Sequence, residues 1–205
     1  MGLGAWNKLS ETGQKCLISA EMTYRDMRDY NSLYDFSSVC LQASKAVEYE
    51  MTSRFYIHYI CYFVSILGIK QDEKKFADYL PECITKTVVK KKGGMKMESK
   101  RILRETEVTL GTISYIVGID NTGKITDNNG YKAFGKYAYE RLLNDGLDVY
   151  ATLARHIKYI IRIKDDYRNK AAHKNTMDVV SAKECLDYII DVQRILAEML
   201  DDYKK

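Results

Sequence analysis

The sequence predicts an all-α fold, and three observations carry that prediction. A single proline occurs in 205 residues, whereas loop-rich and all-β chains place prolines at edges and turns. Long segments repeat apolar residues at spacings of three and four, the period of a helix with one buried face. Hydrophobic residues make up 46% of the chain and charged residues 29%, the balance of a globular protein that builds its own core. At this length a single domain over 1–205 is expected.

Four long helices are legible. The first is expected over 6–30, closing near Asp29, Tyr30, Asn31 and Ser32. The second is expected over 35–67, where Phe36, Val39, Cys40, Ala43, Val47, Met51, Phe55, His58 and Tyr62 share one side; this places His58 in the core. After the stop signal Asn144-Asp145-Gly146, the third covers 147–172, with the stripe Tyr150, Leu153, Ala154, Ile157, Ile160, Ile161. His156, beside that stripe, is expected at the surface. The fourth covers 181–203 and is opened by Ser181-Ala-Lys-Glu184, a capping box in which serine caps and glutamate reaches back. Its stripe is Ala182, Cys185, Leu186, Ile189, Val192, Leu196, Met199, Leu200 and Tyr203. Between the second and third helices lies an enlarged middle of about 68–146. It holds short helices near 71–80, 99–116 and 131–143, and a turn-rich loop from Asp120 to Gly130. Most of the seventeen tyrosines fall at helical spacing among apolar neighbours, which reads as core packing with a wet hydroxyl.

Several functional classes are excluded. There is no run of about 18 uncharged apolar residues for a membrane span. The start Met-Gly-Leu-Gly-Ala-Trp lacks the charged and apolar regions of a secretory leader, and Trp6 stands where a myristoylation signal needs Ser or Thr. Cysteines 16, 40, 61, 83 and 185 are odd in number and scattered, with no C-x-x-C pair. A reducing cytoplasm and no structural zinc are expected. No glycine-rich phosphate loop points to a nucleotide cofactor, and the Glu-x-x-His pairs of a metal-carrying bundle are missing, so no cofactor is expected.

The third stripe continues at the same spacing to Lys164 and Arg168. A guanidinium that extends a buried face is costly unless it is paired or that face meets a partner. Five residues later, after Ala171 and Ala172, stands His173. A permanent cation beside an imidazole, which titrates near neutral pH, suits phosphoryl chemistry on a polyanion. His173 would move the proton; Arg168 would fork two donors onto phosphate oxygens. Asn169 would orient either partner or cap the helix. Glu48 or Glu50 of the second helix could pair with Arg168, and sequence does not choose between them. The competing reading is a helix C-terminus whose basic residues complement the macrodipole.

The run Tyr167-Arg-Asn-Lys-Ala-Ala-His173 resembles the Arg-x4–6-His signature of the HEPN superfamily, small all-helical domains common in prokaryotic ribonucleases and toxins. The segment after it, a short linker and one amphipathic closing helix, is similar to that family's end. Residues 34–51 are similar to an early helix of the family that carries an acidic residue, and a polar residue after the Arg matches its habit. The resemblance implies an HEPN-like helical bundle acting as a homodimer, with Arg168 and His173 of two copies lining one cleft. It implies metal-independent endoribonuclease activity by 2′-hydroxyl attack, in a prokaryotic defence or toxin system with an antitoxin or activating partner. The alternative is a non-catalytic module of the same type that binds RNA, nucleotide or protein. Some toxin members carry Tyr two residues after the His; Asn175 stands there in this chain.

The net charge of +4 is modest, but cations concentrate in one segment. Residues 86, 90, 91, 92, 96, 100, 101 and 104 are basic, against Glu98 alone, and Gly93-Gly94 interrupts them. Such a run is either a solvated loop or a phosphate-contacting patch in which Lys90, Lys91, Lys92 and Lys96 guide RNA. On the second reading, replacing Lys90, Lys91 and Lys92 by Ala weakens RNA binding and flattens its salt dependence. The log K against log[salt] slope is about −0.7 per neutralised phosphate of single-stranded RNA, and single-turnover cleavage at saturating protein should not change. Filter-binding titrations over a salt series check this; an unaltered slope assigns the run to solvated surface.

Overall fold

The computed structural model of the chain describes residues 1–30, 34–67, 87–91, 94–98, 108–173 and 176–204. The described residues are mostly helical, as an all-α fold requires. The exception is an antiparallel hairpin of β1 (Thr87–Lys91) and β2 (Gly94–Glu98), whose register pairs Thr87 with Glu98 and Lys91 with Gly94. This corrects the reading of that segment as a basic loop. Thr87, Val88 and Val89 are β-branched residues that favour a pleated backbone, and Lys92-Gly93 lies between the two strands in sequence. The short helix expected at 71–80 lies outside the described residues, as does the first half of the one expected at 99–116.

The chain forms two compact units. One comprises Met1–Glu50 with Tyr159–Lys205; the other comprises Met51–Lys158. The second unit is therefore wider than the insertion expected over 68–146.

In the first unit the expected 6–30 helix is two. A short α1 (Leu3–Trp6) is followed by α2 (Glu11–Met27) and a 3₁₀ turn at Arg28–Tyr30. Ser10 makes the break. Its backbone is extended and its side chain accepts from the Gly13 amide at 3.0 Å, a serine N-cap. The amide of Ser10 in turn donates to Glu50 Oε1 at 2.7 Å. Glu50 sits at the boundary of the unit on α3 (Ser37–Thr52) and is 2% exposed. A β-carbon added to Gly13 would lie 2.6 Å from that same oxygen, so glycine is what leaves room for the carboxylate.

The 35–67 helix is close to its expected span. α3 passes through a π turn at Ser53–Ile57 into α4 (His58–Leu67). Within the second unit Phe55, Tyr59, Phe134 and Tyr137 meet with ring centroids 5.1–5.5 Å apart. The Tyr137 hydroxyl donates to the Arg54 carbonyl at 2.6 Å. These rings join α4 to α6 (Asn128–Tyr137), which runs on through a π turn at Ala138–Leu142. His58, expected in this core, is exposed; the aromatic face of α4 is carried by its neighbour Tyr59. Before α6, α5 (Leu110–Val117) ends at Gly118, left-handed at φ 73°. A β-carbon there would meet the Asp127 carbonyl and the Tyr131 amide at 2.9 Å, so the turn admits no side chain.

The third expected helix is α7 (Val149–Arg162), a π turn at Ile163–Arg168 and α8 (Asn169–Ala172). Its fully buried positions include Leu153, His156, Ile157, Ile160 and Ile163, and Tyr167 is 6% exposed. His156 is thus a core residue rather than a surface one, because the stripe is centred one position earlier than the run through Ile161 suggests. Tyr150, counted in that stripe, is 43% exposed.

The closing segment departs most from expectation. α9 (Val179–Leu186) starts before Ser181, and Asp178 is its cap, accepting from the Ser181 amide at 2.7 Å. After a π turn at Asp187–Asp191 the chain breaks at Arg194, whose φ of 50° is left-handed, and resumes as α10 (Ile195–Asp202). The break turns Val192, counted in the apolar stripe, out to 72% exposure. A left-handed arginine carries a backbone cost that glycine does not. Arg194→Gly should raise the unfolding free energy by about 0.5–1 kcal/mol, and Arg194→Val should lower it by about 1–2 kcal/mol, because a β-branched residue fits that conformation worst. Urea denaturation reads both; a destabilised glycine variant contradicts the account.

Candidate functional site

The motif lies in the first unit, where the third helix ends. In the turn Ile163–Arg168 the Asn169 amide bonds back to the Lys164 carbonyl, the five-residue reach of a π turn. Such turns are frequent at functional sites, but this chain holds several, so the turn alone marks nothing. Its effect is local. Tyr167 carries the buried face onward, and Arg168 flanks that face, half-buried, instead of extending it. The premise of a cation continuing the apolar stripe is corrected accordingly: the stripe passes through Ile163 and Tyr167.

Arg168 donates through one guanidinium nitrogen to Asn169 Oδ1 at 3.4 Å, a long bond that orients more than it binds. The other cations of this stretch have carboxylates. Arg162 reaches Asp166 at 3.5 Å, Lys164 reaches Asp165 at 3.1 Å, and Lys170 reaches Asp166 at 3.7 Å. Among the described residues Arg168 has no such partner. Neither Glu48 nor Glu50 supplies one in the single chain: Glu50 is committed to Ser10, and Glu48 is partly exposed.

His173 ends α8. Its amide bonds to the Asn169 carbonyl at 3.1 Å, its backbone leaves the helical region, and the residue is exposed. Five residues of helix place it roughly 7–8 Å along the axis from Arg168, about the separation across which two groups can address one phosphodiester and its neighbouring sugar. Three cavities of about 370, 500 and 310 Å3 open on the first unit, and neither residue lines any of them. His173 is exposed and Arg168 half-buried.

Beyond His173 the chain is firmly held. The Met177 amide donates to Asp35 Oδ1 at 2.9 Å, and the Met177 carbonyl accepts from the Phe36 amide at 2.8 Å. The same Asp35 oxygen accepts from the Ser37 amide and hydroxyl at 3.0 and 2.6 Å. The hydrogen bond from the Ser37 side chain, joined by the backbone donors of Met177 and Ser37, holds the Asp35 carboxyl below its usual range. This clasp was not legible in the sequence; Asp35 two residues before Ser37 was the available signal for a cap.

Of the other expected contacts, Lys90, Lys91 and Lys96 lie on the hairpin strands, and Lys92 lies outside the described residues, as does Asn175. Among the described residues no three His, Cys, Asp or Glu side chains gather as a metal-binding group, and no helix is long and apolar enough to cross a membrane. No periodic pattern signals the arginine–aromatic cluster that stands before the motif. The Arg162 guanidinium lies 4.3 Å from the centroid of the Tyr188 ring, and Tyr188 contacts Tyr159 and Tyr167. Burial pushes the Tyr188 phenol up to about 12 in spite of the guanidinium.

Comparison with known proteins adds no identification: no protein family, no curated protein and no solved structure matches the chain.

The clasp makes a pH-dependent prediction. A carboxyl with a depressed folded pKa adds stability above its unfolded pKa of about 4, and loses it as pH falls through the folded value. Asp35→Ala should therefore lower the unfolding free energy by about 1–2 kcal/mol at pH 7, and the difference from wild type should shrink below about pH 4. Urea titrations at pH 7 and pH 3 test it; an equal difference at both contradicts the assignment.

Proposed function

We propose that the chain is a metal-independent endoribonuclease of the HEPN type, in which Arg168 and His173 from two copies share one cleft. The observation that carries the reading is the guanidinium of Arg168. It is the one cation between Arg162 and Lys170 without a carboxylate among the described residues, and it stands half-buried one short helix from an exposed imidazole. A partly desolvated cation without a counter-ion favours binding of an anion, and a phosphodiester supplies one.

Those groups set the chemistry. His173 of one copy takes the proton from the 2′-hydroxyl as its oxygen attacks the adjacent phosphorus. Arg168 donates to the non-bridging oxygens, where charge accumulates in the pentacoordinate state. His173 of the other copy protonates the departing 5′-oxygen. A 2′,3′-cyclic phosphate and a 5′-hydroxyl result. Asn169, bonded to Arg168, limits the directions in which the guanidinium points. The exposure of His173 supports the pairing of copies, since one chain leaves the phosphate in water and a second would enclose it. The same exposure favours one other reading, a module that binds RNA or a partner without cutting it.

The purified protein should cleave single-stranded RNA in EDTA and leave cyclic-phosphate ends, while His173→Ala and Arg168→Ala lose at least a hundredfold in rate, in line with losing an acid–base group or a charge donor. Mixing wild type with His173→Ala should lower activity per wild-type chain, because mixed dimers lack one acid or base. Strict dependence on divalent metal, or full activity from a monomer in light scattering, overturns the mechanism. RNA binding without cleavage assigns the chain to the module.

A further inference from the structure

The cavity of about 310 Å3 beside the motif is lined by Arg162, Tyr167, Glu184, Asp187, Tyr188, Val192 and Gln193. It is at the small end of the range for small-molecule sites. Its wall is unusual for a surface cleft. The Arg162 guanidinium lies over the Tyr188 ring at 4.3 Å, yet its side chain is 50% exposed, so a planar cation is seated on an aromatic ring with surface left for a second planar group. Val192, turned out by the break at Arg194, is 72% exposed, which gives an apolar edge. Two carboxylates stand at the rim with different commitments. Asp187 is taken by Lys183, whereas Glu184 is exposed and has no hydrogen bond or ion pair among the described residues. Gln193, also exposed, supplies an amide.

We infer that this cavity is a guanine-binding subsite, an inference that rests on the ribonuclease reading above and gives it a base preference. A nucleobase stacks on an arginine plane or an aromatic face, and its identity is read along its Watson–Crick edge. A lone carboxylate accepts two parallel hydrogen bonds, and of the four RNA bases only guanine offers two adjacent donors, N1–H and the 2-amino group. Adenine, cytosine and uracil each set a donor beside an acceptor, and that acceptor would face Glu184 oxygen. The amide of Gln193 donates to guanine O6. Tyr167, in the cavity wall, is the chain neighbour of Arg168, which puts the cavity next to the motif in the chain.

Calorimetric titration of the full chain with 5′-GMP, 5′-IMP, 5′-AMP, 5′-CMP and 5′-UMP tests the inference without requiring cleavage. GMP should bind tightest, and IMP, which lacks the 2-amino group, should bind roughly tenfold more weakly. Glu184→Gln should erase the preference of GMP over AMP, a loss of roughly tenfold to a hundredfold, with an unchanged thermal melt. His173→Ala should keep it. Equal binding of all five nucleotides, no binding, or a GMP preference that survives Glu184→Gln overturns the subsite. Selective GMP binding by a protein that cuts no RNA retains the subsite and removes the ribonuclease reading. Cleavage without preference for guanosine does the opposite.

Discussion

One carboxylate at the start of α3 holds the described chain that follows the motif, at Met177. Asp35 gathers three donors on a single oxygen, two from Ser37 and one from Met177. The Phe36–Met177 backbone bond makes the junction two-sided, so residue 177 can neither slide nor rotate relative to the start of α3. With Met177 held there, the tail of the motif helix is tethered at both ends: by its own hydrogen bonds on one side and by the clasp on the other. A surface histidine four residues from such an anchor has a defined range of positions, which a group that must meet a phosphate needs. The clasp also explains why α9 is capped at Asp178, since the extended backbone beside Met177 is already the geometry of an N-cap.

Local electrostatics then single out one residue. Between residues 162 and 170 the helix alternates cations with aspartates at spacings that allow pairing. Exposed pairs of this kind contribute little to stability, but they occupy the acidic groups, and Asp166 serves two cations at once. Arg168 is left with an amide. The stretch therefore keeps a net charge of +2, four cations against Asp165 and Asp166, and Arg168 is the cation with no carboxylate partner among the described residues, a local attraction for a polyanion.

The helical class, the spans of the second and third helices and the turn at Asn144-Asp145-Gly146 were legible, because they rest on apolar periodicity and on residues with strong local preferences. The position of the motif at the end of the third helix was legible for the same reason. What failed were statements about faces. His58 and His156 exchanged their expected roles, since a stripe read one residue out of phase turns neighbouring side chains about 100° apart. The closing helix looked the cleanest of all, yet it breaks at Arg194, where no glycine or proline announces a left-handed turn. The hairpin was hidden by its lysines, which read as a solvated run, and the Asp35 clasp joins positions too distant for any periodic pattern to connect.

The contact between Gly13 and Glu50 has a consequence for how this sequence can drift. The carboxylate occupies the volume where a side chain at position 13 would begin, and it is pinned there by the Ser10 amide. A lineage that acquires even alanine at position 13 must therefore displace the carboxylate of position 50 from its place at the Ser10 amide, and a chain that has lost the acid no longer needs the glycine. Among related chains the two positions should change together or not at all, with serine 10 as the third member of the set. An acidic residue in that early helix would then be retained for the start of α2, independently of any activity at Arg168 and His173.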